Sequence, residues 1–494
     1  MKQPTRFYLG IALLLFPAQA YALQDNADPE AGLKLNAAGA FPGYTIFSPL
    51  RSKDVILVNM QGEEVHRWET SLPPGGGVYL LDNGDLLRSA REPDNPRFNG
   101  GGIGGRIQKF DWAGNLIWDY LIADDYQTQH HDIAPLPNGN VLAIVWEHRY
   151  AEDAIEFGRD PKVVAEKGMW STAILELKPV GKEDAEVVWE WHLWDHLIQD
   201  FDASKANFGS VAEHPERLDI NYDHRDERPM SDEESARLEA ELEEMKALGY
   251  IGDDEDEDDD SAPASTGLPD KSPDWMHVNA VDYNPLLDLI VISSPEANEI
   301  FVIDHAISSD QAAGNSAGRW KQGGELLFRW GNPANYGAGE RSDRKLFYQH
   351  DPSWLKSGDL PALLVFNNGG GRDARGYSSV DQLDLSFDKE AGFKRPKNAA
   401  FGPTNPNWSY SNGEAFYSGF ISGAQRLPNG NTLICAGAQG HIFEVTPDGE
   451  VVWDYTNAFL GDAQIGQGGG AAPVALFRAT RLALDHPALQ GRDL

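Results

Sequence analysis

Two segments far apart in the chain repeat the same pattern. They are GRIQKFDWAGNLIWDY (Gly105 to Tyr120) and GHIFEVTPDGEVVWDY (Gly440 to Tyr455), which share a first Gly, an Ile, a central Gly and a terminal Trp-Asp-Tyr. Each alternates apolar and polar residues, reverses at the central glycine and ends its second half in tryptophan, a pattern typical of a β-hairpin. A hairpin that recurs in this way predicts an architecture built from repeated small sheets.

Looser copies of this hairpin bring the number of units to six. The second strands of the six units end at or near Trp68, Trp118, Trp189, Trp330, Trp408 and Trp453. A second turn precedes several of these hairpins, with Leu-Pro-Asn-Gly at 136–139 and at 427–430 in the places where a tight turn needs those residues. Two hairpins make four strands, so the chain is predicted to be all-β, a six-bladed β-propeller. The 50 glycines and 30 prolines agree with many turns and few long helices.

The first unit lacks a clear first hairpin. Strands from the two ends of the chain are therefore expected to complete one blade, and the segments GYTIFSP and ALFRATRL are the candidates.

The repeats divide the chain into four parts. We predict a signal peptide over residues 1–22, blades 1 to 3 over 23–191, an insertion over 192–272, and blades 4 to 6 with a closing C-terminal segment over 273–494. Within the insertion, Ser231 and Glu234 form a capping box that opens an amphipathic helix, so this part is expected to be helical. The acidic run DDEDEDDD that follows at 253–260 is expected to be disordered.

The N-terminal segment predicts export. Lys2 and Arg6 precede a short apolar run, and small residues around Ala22 offer a cleavage site, so the protein is expected to be periplasmic or secreted. Cys435 is the single cysteine of the sequence, so the fold cannot rely on an internal disulfide. The net charge of −36 opposes binding to nucleic acid or to an anionic membrane, because both are polyanions.

Histidine recurs at one position relative to the first-hairpin turns. Counted five residues upstream of the turn leucine or its equivalent, three successive units carry His131, His277 and His350, whereas two others carry Gly76 and Ser422. The innermost strand of each blade lines the central channel, and equivalent positions lie at one height around it. We therefore expect the three histidines to converge at the channel mouth.

Three convergent imidazoles allow two kinds of chemistry. A neutral imidazole can attack a transferable group while protonated neighbours stabilise the charge that develops. Alternatively, three rings can hold a zinc, copper or iron ion, and a propeller that binds a ligand without catalysis is a further alternative. The glycine-rich loop FNNGGGRDARG, with Arg372 and Arg375, is suited to an anion.

The motifs HHDIAPLPNGN, DWMHVNAVDYNP, FYQHDPSW and LLVFNNGGGRDARG resemble those of the bacterial aryl-sulfate sulfotransferases, which are exported six-bladed propellers. The resemblance covers residues from about 40 to 455 apart from the insertion. It implies transfer of sulfate from a phenolic sulfate ester to a phenol or alcohol through a sulfated histidine, without a nucleotide donor, a cofactor or a metal. The implied partners are small molecules, namely an aryl sulfate donor and a phenolic acceptor.

By the same resemblance, His350 is the nucleophile, and His277 and His131 polarise the sulfuryl oxygens or shuttle the phenol proton. His130 is expected to point away from the channel, because side chains alternate along a strand. Asn279, two residues after His277, is expected to bind substrate together with Arg372 and Arg375.

One position departs from the family pattern. The family usually has Ser-Ser-Arg after the blade-4 histidine, with the arginine serving the sulfate, whereas this chain has Ser293-Ser294-Pro295 followed by Glu296. Either an arginine elsewhere supplies the missing positive charge, or the ring of histidines performs altered chemistry. Quinoprotein dehydrogenases share tryptophan-ending blades, but they typically have eight blades and often a pair of neighbouring cysteines.

Overall fold

A computed structural model describes residues 31–95, 97–224, 240, 272–355, 360–372, 376–397, 399–459 and 474–494. The predicted signal peptide, the predicted helix from Ser231 and the acidic run lie outside these described residues, apart from residue 240. Within the described part of the chain, no helix is long and apolar enough to cross a membrane.

The described chain is dominated by short strands. Those in its first half are β1 (Gly32–Asn36), β2 (Gly43–Pro49), β3 (Val55–Val58), β4 (Glu64–Trp68), β5 (Pro74–Leu80), β6 (Leu86–Arg91), β7 (Gly105–Phe110), β8 (Leu116–Leu121), β9 (Gln127–Pro135), β10 (Val141–Arg149), β11 (Met169–Val180), β12 (Asp184–His192), β13 (Leu197–Ile198) and β14 (Leu218–Asp219). Those in its second half are β15 (Ala280–Asn284), β16 (Leu289–Ser294), β17 (Glu299–Asp304), β18 (Phe328–Trp330), β19 (His350–Trp354), β20 (Ala362–Asn367), β21 (Ser379–Asp384), β22 (Phe387–Asp388), β23 (Gly392–Phe393), β24 (Trp408–Tyr410), β25 (Gly423–Arg426), β26 (Thr432–Ala436), β27 (His441–Val445), β28 (Val451–Thr456) and β29 (Leu476–Ala483).

Helical structure within the described residues is short. The α-helices are α1 (Ala151–Glu156) and α2 (Ser309–Ala312). The 3₁₀ turns are Leu193–His196, Val211–Glu213, Tyr222–His224, Pro333–Tyr336, Arg341–Asp343, Gly437–Gln439 and Pro487–Leu489.

Six antiparallel sheets form the blades of a β-propeller, which confirms the predicted all-β fold and the number of blades. From inside outward the blades are β29-β2-β3-β4, β5-β6-β7-β8, β9-β10-β11-β12, β15-β16-β17-β18, β19-β20-β21-β24 and β25-β26-β27-β28. The innermost strands of neighbouring blades contact each other around the central channel. Residues at the upper ends of these inner strands therefore come together, although they are far apart in sequence.

The repeated tryptophans join each blade to the next. Each of the six lies on the outermost strand of its four-stranded blade. Their indole N–H groups donate to the carbonyl oxygens of Asp111, Asp184, Ile307, Pro403, Pro447 and Met60 in the following blade, at 2.6–3.1 Å. A buried indole N–H needs an acceptor, and the following blade provides a carbonyl oxygen at each of these six interfaces.

The ends of the chain close the ring. β29 pairs with β2 in an antiparallel register in which Gly43 faces Ala483. Both candidate segments named from the sequence, GYTIFSP and ALFRATRL, therefore contribute to blade 1. In addition, β1 pairs with β28 as a fifth strand of blade 6, an addition that the sequence repeats did not indicate.

The described part of the insertion packs against the propeller. Leu193, Leu197, Leu218, Ile220 and Tyr222 are buried in the same apolar cluster as strands of blades 3 and 4. The short parallel pair β13-β14 and the Tyr222 hydroxyl, which donates to the Trp275 carbonyl at 2.9 Å, hold this segment beside the residues that precede β15. The insertion thus borders the end of the propeller at which His277 lies.

Candidate active site

The three histidines named from the sequence lie at the same end of the channel. The rings of His131 and His277 meet edge to face, with centroids 4.5 Å apart and planes at 80°. His350 interacts electrostatically with both rings. A proton on His277 lowers the pKa of His350, and a proton on His350 lowers the pKa of His131. The structure therefore brings the three rings together.

The inner strands reach the site through irregular backbone. The φ angle is +51° at His131 and +46° at His277, whereas in blade 5 the positive φ of +52° falls on Asp351, one residue after His350. β-bulges occur at these places in β9 and β19. A bulge redirects side chains away from strict alternation. The positive φ at these positions is energetically costly for a residue other than glycine.

The bulge changes the expected position of His130. Its ring is fully buried and stacks on Trp146 at 3.9 Å, and its Nδ1 lies 2.8 Å from Nδ1 of His131. One of these two nitrogens must carry the shared hydrogen. His130 thus supports His131 directly, a role that regular strand alternation did not indicate.

His350 is oriented by an asparagine. Its Nδ1 lies 2.9 Å from Oδ1 of Asn368 and 3.1 Å from the carbonyl oxygen of Tyr348, so Nδ1 carries the proton and donates to both. The amide nitrogen of Asn368 donates to the carbonyl oxygens of Ser418 and Ile421 at 2.8 and 2.9 Å, which fixes the direction of its oxygen. The opposite ring nitrogen, Nε2, therefore holds a lone pair.

The unprotonated ring nitrogen of His350, Nε2, is buried. The residue is 4% exposed, and Nε2 makes no hydrogen bond within the described part of the chain. The pKa of His350 is lowered to about 4. Burial is the largest cause and the charge of His277 adds to it, whereas the hydrogen bond that the ring donates to Asn368 opposes both. The ring is neutral near pH 7, which is the form of imidazole that attacks an electrophile.

His277 has the opposite character. Its Nδ1 is hydrogen-bonded to the carboxylate of Asp274, whose other oxygen accepts the backbone N–H of His277 at 3.2 Å. Burial alone lowers the pKa of His277, but the charges of Asp274 and Glu296 outweigh it and raise the pKa above its ordinary value. Asp274 was missed in the sequence, although the spacing Asp-x-x-His in DWMH is the signal that could have identified it.

His131 lies deep against glycines and aromatic rings. A Cβ atom on Gly102 would lie 2.1 Å from Nε2 of His131, and the Gly102 carbonyl accepts the backbone N–H of His131 at 2.6 Å. Burial, and then the charge of His277, hold the pKa of His131 well below its ordinary range. The surroundings therefore lower the pKa of His131 and of His350 and raise that of His277.

An ion-pair cluster lies beside the histidines. Arg478, on the inner closing strand β29, is 2.6 Å from the carboxylate of Asp132 and also forms an ion pair with Asp351. These two aspartates directly follow His131 and His350, and the hydroxyl of Tyr79 donates to Asp132 at 3.0 Å. Arg478 therefore links blades 1, 3 and 5 through the aspartates that follow His131 and His350. The sequence did not indicate this role of the two aspartates.

The predicted substrate-binding residues occupy different places. Asn279 is fully buried and donates from Nδ2 to the carbonyl of Gln349 at 2.9 Å, which ties blade 4 to the residue before His350. Arg372 donates to the hydroxyl of Ser379 at 3.1 Å and stacks on Tyr377. Its hydrogen bonds within the described chain do not reach the histidines. Arg375 lies outside the described residues.

The departure at Pro295 places a carboxylate at the site. Pro295 is buried at the end of β16, and Glu296 beside it is exposed to solvent. Its charge acts on His277. Although solvent reaches the side chain, the protein packed around the carboxylate desolvates it and raises its pKa to about 7. Among the described residues, no group of three or more His, Cys, Asp or Glu side chains is arranged to hold a metal ion.

The family model for arylsulfotransferase (ASST) matches residues 62–457, which is most of the chain. The chain belongs to the arylsulfotransferase family. This membership confirms the resemblance seen in the histidine motifs. It supports sulfuryl transfer of the arylsulfotransferase type, with aryl sulfate donors and phenolic acceptors as the general substrate classes. A search of curated proteins found no relative of this arylsulfotransferase family member.

Solved structures similar to this chain have low sequence identity. A protein of unknown function from Bacteroides caccae is 12% identical with a TM-score of 0.42, covering 89% of this chain and 99% of that one. A periplasmic gluconolactonase from Pseudomonas aeruginosa is 12% identical with a TM-score of 0.37, covering 89% and 99%. A virginiamycin B lyase from Staphylococcus aureus is 9% identical with a TM-score of 0.34, covering 86% and 89%. Because these TM-scores are below 0.5, the likeness carries no argument about this site.

Proposed function

We propose that this arylsulfotransferase family member moves a sulfuryl group from a phenolic sulfate ester to a phenol or alcohol through a sulfohistidine at His350. The observation that carries the proposal is the state of the His350 ring. Its Nδ1 hydrogen is held by Asn368, and its buried Nε2 has a lone pair and no hydrogen-bond partner in the described chain. A neutral, oriented imidazole of this kind is an activated nucleophile.

The first half of the reaction transfers the sulfuryl group to the protein. Nε2 of His350 attacks the sulfur, the nitrogen–sulfur bond forms, and the bond between sulfur and the phenolic oxygen breaks. His277, held as a cation by Asp274, stabilises negative charge on the sulfuryl oxygens. In the second half, the acceptor oxygen attacks the sulfur, the oxygen–sulfur bond forms and the nitrogen–sulfur bond breaks. The acceptor gives up its hydroxyl proton, and His350 returns to its neutral form.

His131 has a different part in the proposal. Because its ring is neutral and lies against His277, it binds a sulfuryl oxygen or the phenol by hydrogen bonding and adds no second positive charge. His277 therefore supplies the positive charge that the usual family arginine would provide, in a site where that arginine position is occupied by Pro295. Arg372 and Arg375 are proposed to contact more distant parts of the substrate. We also propose that residues 1–22 direct export to the periplasm or medium.

The proposal is tested by incubating the protein with p-nitrophenyl sulfate in the presence and absence of phenol. We expect release of p-nitrophenol, formation of phenyl sulfate and, without acceptor, a sulfuryl adduct on the peptide that contains His350, detected by mass spectrometry. His350→Ala is expected to lower the rate by at least about 1,000-fold, because no second nucleophile replaces the ring.

His441→Ala provides the matched control. His441 is also paired with an aspartate, Asp454 at 3.0 Å, but lies on the β27 strand away from the inner strands. This variant is expected to keep wild-type activity. A His350→Ala protein that transfers sulfate as fast as wild type would contradict the nucleophile assignment, and stoichiometric zinc, iron or copper in active protein purified without chelator would favour metal-dependent chemistry instead.

A further inference from the structure

The turn between β16 and β17 is held between the segments that carry His277 and His350. The hydroxyl of Ser294 accepts the backbone N–H of Ala297 at 3.1 Å and donates to the carbonyl oxygen of Met276 at 2.5 Å. On the other side of the turn, Oδ1 of Asn298 accepts the backbone N–H of Tyr348 at 3.0 Å. Met276 directly precedes His277, and Tyr348 lies two residues before His350. The turn is therefore fixed relative to both histidines.

Glu296 is the residue of this turn whose side chain solvent can reach. Pro295, Ala297 and Asn298 are buried, whereas Glu296 is exposed. Its carboxylate makes no hydrogen bond and no ion pair within the described part of the chain. The turn therefore presents an unpartnered carboxylate that interacts electrostatically with His277.

The charged neighbours of Glu296 are already paired. The groups that act on it electrostatically are His277, Asp274 and Asp223. Asp274 is hydrogen-bonded to His277, and Asp223 receives two hydrogen bonds from Arg159, each at 2.6 Å. Glu296 is therefore the carboxylate of this group that is left without a cationic partner.

A second observation points to a ligand at the neighbouring histidines. Nε2 of His350 is buried and has no hydrogen-bond partner among the described residues, although a buried polar atom ordinarily has one. The proposed occupant is the anionic sulfate ester. An ionised carboxylate would repel that anion, whereas a protonated one would not. Burial raises the pKa of Glu296 to about 7, with Asp274 and Asp223 adding to the effect and His277 opposing it, so protonation is accessible near neutral pH.

We propose that Glu296 is the catalytic acid and base on the phenol side of the reaction. The assignment rests on the sulfuryl transfer proposed above. During sulfation of His350, the bond from sulfur to the donor oxygen breaks and Glu296 gives its proton to that oxygen, so that the phenol leaves neutral. During transfer to the acceptor, the acceptor hydroxyl gives its proton to Glu296 while the oxygen–sulfur bond forms and the nitrogen–sulfur bond breaks. His277 keeps its proton throughout.

The test compares two donors that differ in the basicity of their leaving groups. Sulfation of His350 is measured in single turnovers with phenyl sulfate, whose phenolate is strongly basic, and with p-nitrophenyl sulfate, whose phenolate is weakly basic. Glu296→Gln is expected to slow the first donor by about 100-fold or more and the second by about fivefold or less, because a weakly basic leaving group needs little help from an acid. Glu390→Gln, an exposed carboxylate on the β22–β23 turn, is the control and is expected to match wild type for both donors.

The pH dependence gives a readout that a merely structural role would not change. With phenyl sulfate, the wild-type sulfation rate is expected to fall as pH rises through about 7, because Glu296 loses the proton it must donate. Glu296→Gln is expected to remove this fall, and Glu296→Asp to restore part of the phenyl sulfate rate.

Equal slowing of both donors in Glu296→Gln, or an unchanged rate with phenyl sulfate, overturns the assignment while leaving the transfer intact. Absence of any adduct on wild-type His350 would instead show that the proposed function itself is wrong.

Discussion

The two sides of the histidine cluster differ in charge although they use the same residue type at similar places in neighbouring blades. His131 and His350 are enclosed by aromatic, glycine and amide neighbours, which keep both rings neutral. His277 is bonded to Asp274 and lies near Glu296, and these carboxylates raise its pKa. In the proposed function this difference assigns the nucleophile to His350 and the cation to His277, because the environment sets the protonation state of each ring.

In the proposed function, His277 takes the place of an arginine at position 295. A protonated imidazole beside a carboxylate provides one positive charge close to the nucleophile. Arg478 also lies near His350, but its charge is engaged by Asp132 and Asp351. The cation available to a sulfate anion in this cluster is therefore His277, whose ring contacts that of His131.

Among the variants that test this difference between the rings, the largest effect is expected from removing the carboxylate of Asp274, which raises the pKa of His277. Asp274→Asn is expected to lower kcat by about 100-fold, because burial then holds the His277 ring neutral and the sulfuryl oxygens lose a charged donor. The fall in activity on the alkaline side is expected to move to lower pH, since the raised pKa depends on Asp274. Steady-state kinetics with p-nitrophenyl sulfate measure both, because this donor is expected to depend little on Glu296.

A matched control for Asp274→Asn exists on the outer part of blade 6. Asp454→Asn removes the carboxylate that pairs with His441 at 3.0 Å, an equivalent histidine–aspartate pair outside the site. This variant is expected to stay within about twofold of wild type, as typical of surface substitutions. An alkaline limb that stays in place in Asp274→Asn would break the proposed contrast between His277 and its neighbours.

A smaller effect is expected from crowding the ring of His131. Gly102→Ala puts a methyl group 2.1 Å from Nε2 of His131, so the ring must move, and kcat is expected to fall about tenfold. Gly114→Ala is the control, because Gly114 has a similar positive φ of +85° but nothing within 4 Å of a Cβ atom.

Both glycine variants are expected to lose about 1–2 kcal/mol of stability through backbone strain, measured by denaturant unfolding. Equal activity of the two at saturating substrate would mean that the position of His131 does not matter for the reaction.

The smallest and most direct readout is the titration of the rings themselves. In nitrogen NMR spectra of histidine-labelled protein, His350 is expected to stay neutral until the pH falls to about 4. His277 is expected to hold its proton to a higher pH than an ordinary histidine. Assignment uses the His350→Ala and Asp274→Asn variants. Titration of both rings near the ordinary value of about 6.5 would remove the difference on which the division of roles depends.

Much of the fold was predictable because the blades come from a repeated sequence pattern. The six tryptophans and the Leu-Pro-Asn-Gly turns each meet a local requirement, namely an indole partner at the blade interface and a positive φ at the turn glycine, as at Gly139 and Gly430. The convergence of His131, His277 and His350 followed from their common distance to the turns. β1 was not predicted, because it adds to blade 6 outside the repeating unit.

The chemistry of each ring was less predictable. Strand alternation did not indicate the contact between His130 and His131, because the positive φ at His131 interrupts the strand. The part played by Arg478 was hidden because it lies on the closing strand, far in sequence from Asp132 and Asp351. Glu296 could be seen as a departure from the family motif, but its lack of a partner depends on how Asp274 and Asp223 are paired.

By itself, the sequence determined the six-bladed architecture and the three histidines at the channel mouth, because periodic spacing in a repeat protein maps directly onto position in space. The tertiary structure alone decided which ring is neutral and which is charged. Protonation depends on burial and on neighbours within a few ångströms, and those neighbours are brought from other blades by closure of the ring.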